Sequence, residues 1–242
     1  MSTYSTDPCF PPSHPESSIA PDVPTYLEQT YWWAYVHPRA VHFFEREWLV
    51  NLILFGNYRR LRDKALHALG HPIEGRTLQV ACVYGNLTAK LIQQMTAEAM
   101  LDVVDILPIQ LQNLATKIKP DPRVSLIRND SSSLEFADAS HDQALLFFLL
   151  HEQPESTRRA TLREALRVVK PGGRIVIVDY HKPHRWHPLR PLMKRIFERL
   201  EPFAHDLWEH PVGSYLPSDM PIKSVQHTTF FGGLYQLLVL ER

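Results

Sequence analysis

The sequence predicts an α/β fold, a parallel sheet flanked by helices. Short apolar runs at 78–83, 101–106, 124–127, 144–149 and 175–178 have the length of buried strands, and segments of helical period separate most of them. Within this alternation Leu78, Val80 and Cys82 build a strand, while Leu87, Leu91 and Met95 give the next segment a helical apolar stripe. A turn around Gly85 joins the two, and Asn86 is placed to cap the helix.

Ahead of this alternation the chain has a different character. Residues 1–24 are rich in Pro, Ser and Asp and lack periodicity, which reads as a disordered leader. From Thr25 onward aromatics are dense: Tyr26, Tyr31, Trp32, Trp33, Tyr35, Phe43, Phe44, Trp48, Phe55 and Tyr58. Val41, Phe44, Trp48, Leu52 and Phe55 fall at helical spacing, with Pro38 suited to the first turn. Leu61, Ala65 and Leu69 predict a second helix that stops before Gly70 and Pro72. Residues 25–72 are thus expected to form an aromatic helical lid on a binding domain at 73–242. Further on, Ser156 is placed to cap a helix whose Leu162, Ala165, Leu166 and Val169 share a face, and Pro171-Gly172-Gly173 turns the chain into the next strand. Phe230, Phe231, Leu234 and the apolar run at 237–240 suggest a last strand or hairpin.

Composition narrows the function. A chain of 242 residues with 44% hydrophobic content can bury one sizeable core. Lys+Arg and Asp+Glu are both 26, so no excess of positive charge points to nucleic acid. Cys9 and Cys82 are the only cysteines, which argues against a disulfide framework and for a reducing cytosol. No apolar run reaches the roughly 18 residues of a spanning helix, and the N-terminus lacks a signal-peptide pattern, so a soluble or peripheral protein is expected.

In nucleotide-binding α/β proteins a buried strand ends in a tight glycine turn, and the following helix points free N–H groups at the ligand. Here Val83-Tyr84-Gly85 puts a branched residue and an aromatic where small residues are usual, which predicts a narrow pocket. Asp105 ends the second strand roughly 20 residues after Gly85, where a carboxylate can accept hydrogen bonds from two ribose hydroxyls, although an aspartate there is also a common cap. Asp130, in Asn129-Asp130-Ser131-Ser132-Ser133-Leu134, follows the third strand and has the same two readings.

With Val168-Val169-Lys170-Pro171-Gly172-Gly173-Arg174 added, the stretch at 78–180 resembles the class I S-adenosylmethionine-dependent methyltransferases, quinone-pathway members in particular. The resemblance implies a Rossmann-like, mostly parallel seven-stranded sheet with helices on both faces, Asp105 at the ribose, Asp130 beside the adenine amine, and Ile106 and Ser131 also against the cofactor. One element departs from it: the usual acidic-x-Gly-x-Gly-x-Gly is Gln79-Val80-Ala81-Cys82-Val83-Tyr84-Gly85, without the acid and two of the glycines. That altered loop, with Tyr31-Trp32-Trp33-Ala34-Tyr35-Val36-His37-Pro38 and Glu45-Arg46-x-Trp48-Leu49-Val50-Asn51, resembles the RquA family of rhodoquinone biosynthesis proteins.

This second resemblance implies that ubiquinone becomes rhodoquinone, an amino group replacing a ring methoxy group. S-adenosylmethionine would be the amine donor and a divalent metal, manganese, would assist. Val83, Tyr84 and Gly85 would then hold the methionine end of the cofactor, with Tyr84 against the sulfonium. Tyr31, Trp32, Trp33, Tyr35 and Trp48 are expected to line a lid and channel for the quinone, since their amphipathic rings suit both stacking and a membrane interface. Arg59, Arg60, Arg62 and Lys64 are available there for lipid headgroups, at the inner face of the membrane that holds the quinone pool.

His151-Glu152 follows the fourth strand at the edge where such sheets bind substrate, and reads as a metal ligand pair, a proton relay or a plain polar loop. Asp179, His181, His184 and His187 are loosely spaced among prolines and read as a solvated loop rather than a metal set. Cys82 reads as a small core residue. A conventional quinone methyltransferase and a catalytically silent quinone-binding module are the competing functions.

Overall fold

The computed structural model describes residues 23–31 and 43–242. Most of the expected leader, together with Trp32, Trp33, Tyr35, Pro38 and Val41, lies outside the described residues.

Seven strands form one sheet: β1 Arg76–Val80, β2 Met100–Asp105, β3 Val124–Arg128, β4 His141–Phe147, β5 Val169–Tyr180, β6 Ser224–Phe230 and β7 Tyr235–Glu241. Their order is β3-β2-β1-β4-β5-β7-β6. The first five are parallel to their neighbours, and β7 runs antiparallel to both β5 and β6. The order reverses between β1 and β4, and at such a switch point a crevice opens beyond the carboxyl ends of the strands.

Strand alternation splits the apolar residues between two faces. Leu101, Val103, Leu145, Val176 and Val178 pack under α3 (Tyr58–Leu69), α4 (Leu87–Gln94), α5 (Pro108–Lys117) and α7 (Arg190–Leu200). Their sequence neighbours Val104, Ala144, Leu146, Ile175 and Ile177 pack on the other face under α6 (Glu155–Val168). In front of these elements lie α1 (Thr25–Thr30) and α2 (Glu47–Ile53), and a short α8 (Asp206–Glu209) precedes the β6–β7 hairpin.

Several boundaries differ from expectation. β1 stops at Val80 because Ala81 adopts φ +72°. The expected helix through Phe55 is divided: Phe43 and Phe44 are helical, Arg46 is extended, α2 starts at Glu47, and Phe55 is left-handed at φ +49°. Asn86 does sit before α4, but its side chain makes no capping bond. Ser156 lies inside the first turn of α6, which opens behind Pro154, and Val169 already belongs to β5. Pro171-Gly172-Gly173 sits within β5 as a register slip, where His141 pairs with Val169 but Gln143 pairs with Arg174. The hairpin is as expected, although β6 is polar and mostly exposed and carries no apolar pattern to announce it.

Candidate active site

The switch-point crevice is a cavity of ≈ 580 Å³ with two chemically different ends. At one end the carboxyl termini of β1, β2 and β3 deliver Ala81 to Tyr84, Asp105 to Leu107, and Asn129 to Ser131. At the other, β4 delivers Phe147 to Gln153, β5 delivers Tyr180, and α7 delivers Leu192, Ile196, Leu200 and the adjoining Glu201. Tyr26 and Leu27 of α1 and Leu52 and Ile53 of α2 close over both.

At the first end Asp105 is held by the backbone. Its Oδ2 accepts from the N–H of Cys82 at 2.8 Å and its Oδ1 from that of Leu107 at 2.9 Å. Burial nevertheless dominates those two bonds and pushes its pKa up to about 6. Asp130 accepts from the N–H and hydroxyl of Ser132, both at 2.8 Å. The Ser131 hydroxyl is within 3.0 Å of that of Thr161 and accepts from Gln153 Nε2. Tyr84 accepts from Gln110 at 2.9 Å, stacks on Phe44 at 6.3 Å, and has its hydroxyl pKa raised by burial.

The altered loop has a physical explanation. Ala81 occupies the first glycine position of the motif and still takes the left-handed conformation that a glycine would adopt without strain. Gly85 keeps φ +84°, and a Cβ there would stand 2.6 Å from the Tyr58 hydroxyl. Gln79, in place of the acid, is fully buried; its Nε2 donates to the Ala81 carbonyl at 3.0 Å and its Oε1 accepts from Thr88. Two N–H groups at the end of the loop are taken within the protein. Gly85 donates to Glu45 Oε1 at 3.0 Å, and Asn86 donates to the Tyr58 hydroxyl at 2.9 Å. Lys117 pairs with Glu45 at 2.6 Å and donates to the carbonyls of Val83 and Gly85, while Asn86 Nδ2 donates to Glu47 at 2.6 Å. Two carboxylates from the segment before and within α2 therefore cover the positive end of α4.

At the second end His151 is buried, with Nδ1 2.9 Å from Asp179 Oδ1. Asp179 also accepts from the N–H groups of Leu150, His151 and Tyr180. The other ring nitrogen, Nε2, faces Glu152 Oε1 at 3.8 Å and Glu201 Oε2 at 3.9 Å. Burial alone would lower the His151 pKa; Asp179, then Glu201 and Glu152, outweigh it and bring it to about 9, so the ring is a cation at neutral pH. Burial raises the Glu201 carboxyl, an effect His151 and Tyr31 only partly offset.

Not every expected residue lines the cavity. Val83, Tyr84, Asp105, Ile106, Asp130, Ser131, His151 and Glu152 do, whereas Gly85 sits on the outer side of the loop with Glu45 and Lys117. Tyr31 is fully buried behind Glu201, against Leu27, Leu107 and Phe203, and Trp48 is 57% exposed; neither is on the cavity wall. Cys82 is half-buried on the wall rather than in a core strand, and burial pushes its thiol pKa up, away from thiolate chemistry. Arg62 is buried on Asn86 and Asp63, Arg59 pairs with Glu47, and Arg60 lies over Phe230, so only Lys64 of the expected headgroup cations is uncommitted. Asp179 leaves the histidine loop altogether to orient His151, while His181 contacts the Gly233 carbonyl and His187 packs on Phe231. Among the described residues no group of three or more His, Cys, Asp or Glu is arranged to hold a metal ion, so the expected manganese has no ligand set here. Glu45, Glu201 and Lys117 were not foreseen in these roles, and no local pattern around them signals a contact so distant in sequence.

The strand order, the carboxylates that follow β2 and β3, and the cavity at the switch point define the class I S-adenosylmethionine-dependent methyltransferase fold. Solved structures agree with it. The human N-acetylserotonin methyltransferase bound to S-adenosylmethionine aligns with a TM-score of 0.60 at 14% identity, covering 90% of this chain and 62% of that one. The N-methyltransferase NodS of Bradyrhizobium japonicum, bound to S-adenosyl-L-homocysteine, aligns at 0.56 and 16% identity, covering 75% and 85%. Residues 77–173 match the Methyltransf_25 family, a methyltransferase domain. Among curated proteins, the demethylmenaquinone methyltransferase of Paenarthrobacter aurescens is 31% identical over 150 residues, which is 62% of this chain and 54% of that protein. The ubiquinone/menaquinone biosynthesis C-methyltransferase UbiE of Idiomarina loihiensis is 28% identical over 136 residues, covering 55% and 53%. In these alignments the chain spans about half the length of the relatives it matches.

The residues present fit S-adenosylmethionine at its nucleoside end. Asp105 offers a buried carboxylate at the end of β2, and Asp130 follows β3 on the same wall. At the end of the altered loop, Glu45 and Tyr58 occupy the N–H groups of Gly85 and Asn86.

Proposed function

We propose that this protein is an S-adenosylmethionine-dependent transferase acting on the ring of an isoprenoid quinone. The observation that carries the reading is the single cavity that joins Asp105 and Asp130 to the buried His151–Asp179 pair through walls of Phe147, Phe148, Leu149, Tyr180 and Ile196. A flat, apolar ring bearing oxygens is complementary to such walls. The activities named for the relatives, methyl transfer to demethylmenaquinone and ubiquinone precursors, support the substrate class.

The cofactor would supply the group transferred. This chain's own residues bind and orient. Asp105 accepts from ribose hydroxyls, and Tyr84 presents its ring near the cationic end of the cofactor. His151, positioned by Asp179, donates from Nε2 to a ring oxygen, while Glu152 and Glu201 flank that oxygen as acceptors for a proton.

Methyl transfer is the first reading of the group moved, on the activities of the relatives. Amination, with rhodoquinone formed from ubiquinone and the cofactor as amine donor, is the second; the loop of Val83 and Tyr84, with Glu45 and Tyr58 on its N–H groups, favours it because the amino-acid end of the cofactor must be held in an unusual way. The test is mass spectrometry of quinones incubated with the protein and with cofactor labelled separately on methyl carbon and amino nitrogen. Methyl label in the product establishes methyl transfer, and nitrogen label in a product that has lost a methoxy group establishes amination. No label in any quinone, with cofactor binding intact, overturns the enzymatic reading.

A further inference from the structure

The positive charge of this neutral chain is unevenly placed. Residues 181–200 carry Lys182, Arg185, Arg190, Lys194, Arg195 and Arg199 against the single acid Glu198, while the formal net charge of the whole chain is zero. Lys182 is paired with Glu209 and Lys194 reaches Glu198 at 3.9 Å. Arg185, Arg190, Arg195 and Arg199 have no carboxylate within ion-pair distance among the described residues.

The same segment presents apolar groups to solvent. Trp186 is 81% exposed, with the Arg185 guanidinium 4.7 Å above its ring. Helix α7 has two apolar stripes at helical spacing. Met193 and Phe197 are buried in the core. Leu192, Ile196 and Leu200 line the cavity, and Leu192 and Leu200 remain 46% and 44% exposed. Across the opening, Leu52 and Ile53 of α2 line the same cavity and are 64% and 45% exposed. Exposed leucines therefore form the rim of the cavity, and unpaired arginines stand beside them on the third face of α7.

We infer that this face, α7 with the Arg185–Trp186 corner, docks on an anionic phospholipid surface and opens the cavity toward the bilayer. Apolar side chains that enter an acyl boundary, flanked by arginines for the headgroups, match an interfacial helix lying in the plane of the membrane. No helix among the described residues is long and apolar enough to cross one, so the contact is a surface one on this side of the molecule. A nucleic acid would match the charge but leave the leucine rim and Trp186 without a partner, and a second copy of a neutral chain would not select for the arginines. The location also differs from the sequence-based expectation: Arg62 is buried, and Arg59 and Arg60 are exposed, but Arg59 is paired with Glu47 and Arg60 lies over Phe230. The inference rests on the quinone reading only for what passes through the opening.

The experiment is flotation of the full chain with vesicles of phosphatidylcholine, with and without phosphatidylglycerol, comparing the native protein with an Arg195→Glu, Arg199→Glu double variant and with Trp186→Ser. Native protein is expected to float with the anionic vesicles only, and less so as salt screens the contact. Each lost cation should lower partitioning about fivefold, so the double variant should fall by roughly 25-fold or more. Its cofactor affinity, measured by calorimetry, should match the native value because neither arginine lines the cavity. Native flotation unaffected by phosphatidylglycerol, or a double variant that floats like the native chain, overturns the inference. So does absence of flotation alongside tight binding to heparin or DNA, or alongside a dimer that the double variant dissolves. Flotation without turnover of any quinone would sink the proposed function and leave this surface standing; turnover of a short-tailed quinone without flotation would do the reverse.

Discussion

The two ends of the cavity are built in opposite ways. At the end built by β1, β2 and β3, backbone N–H groups hold the carboxylates: Asp105 accepts from Leu107 and, across the strands, from Cys82, and Asp130 accepts from Ser132. At the other end, side chains from β4, β5 and the residue after α7 meet around one imidazole, with Asp179 and Glu201 lying 28 and 50 residues beyond His151. The first end is held by backbone donors. The second is a network of buried charges in which His151 depends on Asp179, Glu201 and Glu152, and Asp179 is itself held by three backbone N–H groups.

That contrast is most directly broken at Asp179. Asp179→Ala should destabilise the fold by about 3–5 kcal/mol, because it leaves the His151 cation and three backbone N–H groups without their acceptor. The readout is the urea midpoint; a change below about 1 kcal/mol would mean that the network is not the anchor of this end.

At the other end Asp105→Ala, and separately Asp130→Ala, should weaken cofactor binding by about 1.5–3 kcal/mol, ten- to a hundred-fold. Calorimetry giving native affinity for both folded variants would remove the cofactor from this end.

The two ends should also titrate in opposite senses. Asp105, raised to about 6, must be ionised to accept two hydroxyls, so cofactor affinity should fall as pH drops below about 6. His151 is raised from 6.5 to about 9, so the stability it contributes is fully present below 6.5 and is lost as pH climbs through 9. Urea midpoints measured across pH 6 to 10 on the native chain and on His151→Gln separate this loss from other titrations: the difference between the two curves should shrink as pH rises. A constant difference would contradict a protonated His151.

The smallest effect sharpens the account of the loop. Ala81→Gly should stabilise the protein by about 1 kcal/mol by relieving left-handed strain at an alanine. A loss of stability would mean that the Ala81 side chain packs usefully where a glycine cannot.

Much of the fold was legible because apolar period reports burial directly. The runs around Leu78, Leu101, Val124, Ala144 and Ile175 became the five parallel strands, and the stripes of Leu61-Ala65-Leu69 and Leu162-Ala165-Leu166 became α3 and α6. The polar edge strand β6 left no such trace, since one strand can pair along an edge without burying its own side chains. Asp105, Asp130, Tyr84 and His151 were also visible, because strand-end positions in an α/β sheet converge by topology alone.

By itself, then, the sequence determined the alternation of strands and helices, the edge of the sheet where ligands are met, and the missing glycines of the first turn. Only the tertiary structure decided what those missing glycines mean. Glu45 and Tyr58 close on the N–H groups of Gly85 and Asn86, Glu201 completes the surroundings of His151, and Arg62 turns inward while Arg195 and Arg199 remain outside. Each of these depends on groups brought together from distant parts of the chain, and local period and spacing carry information about burial and direction but none about which distant partner will arrive.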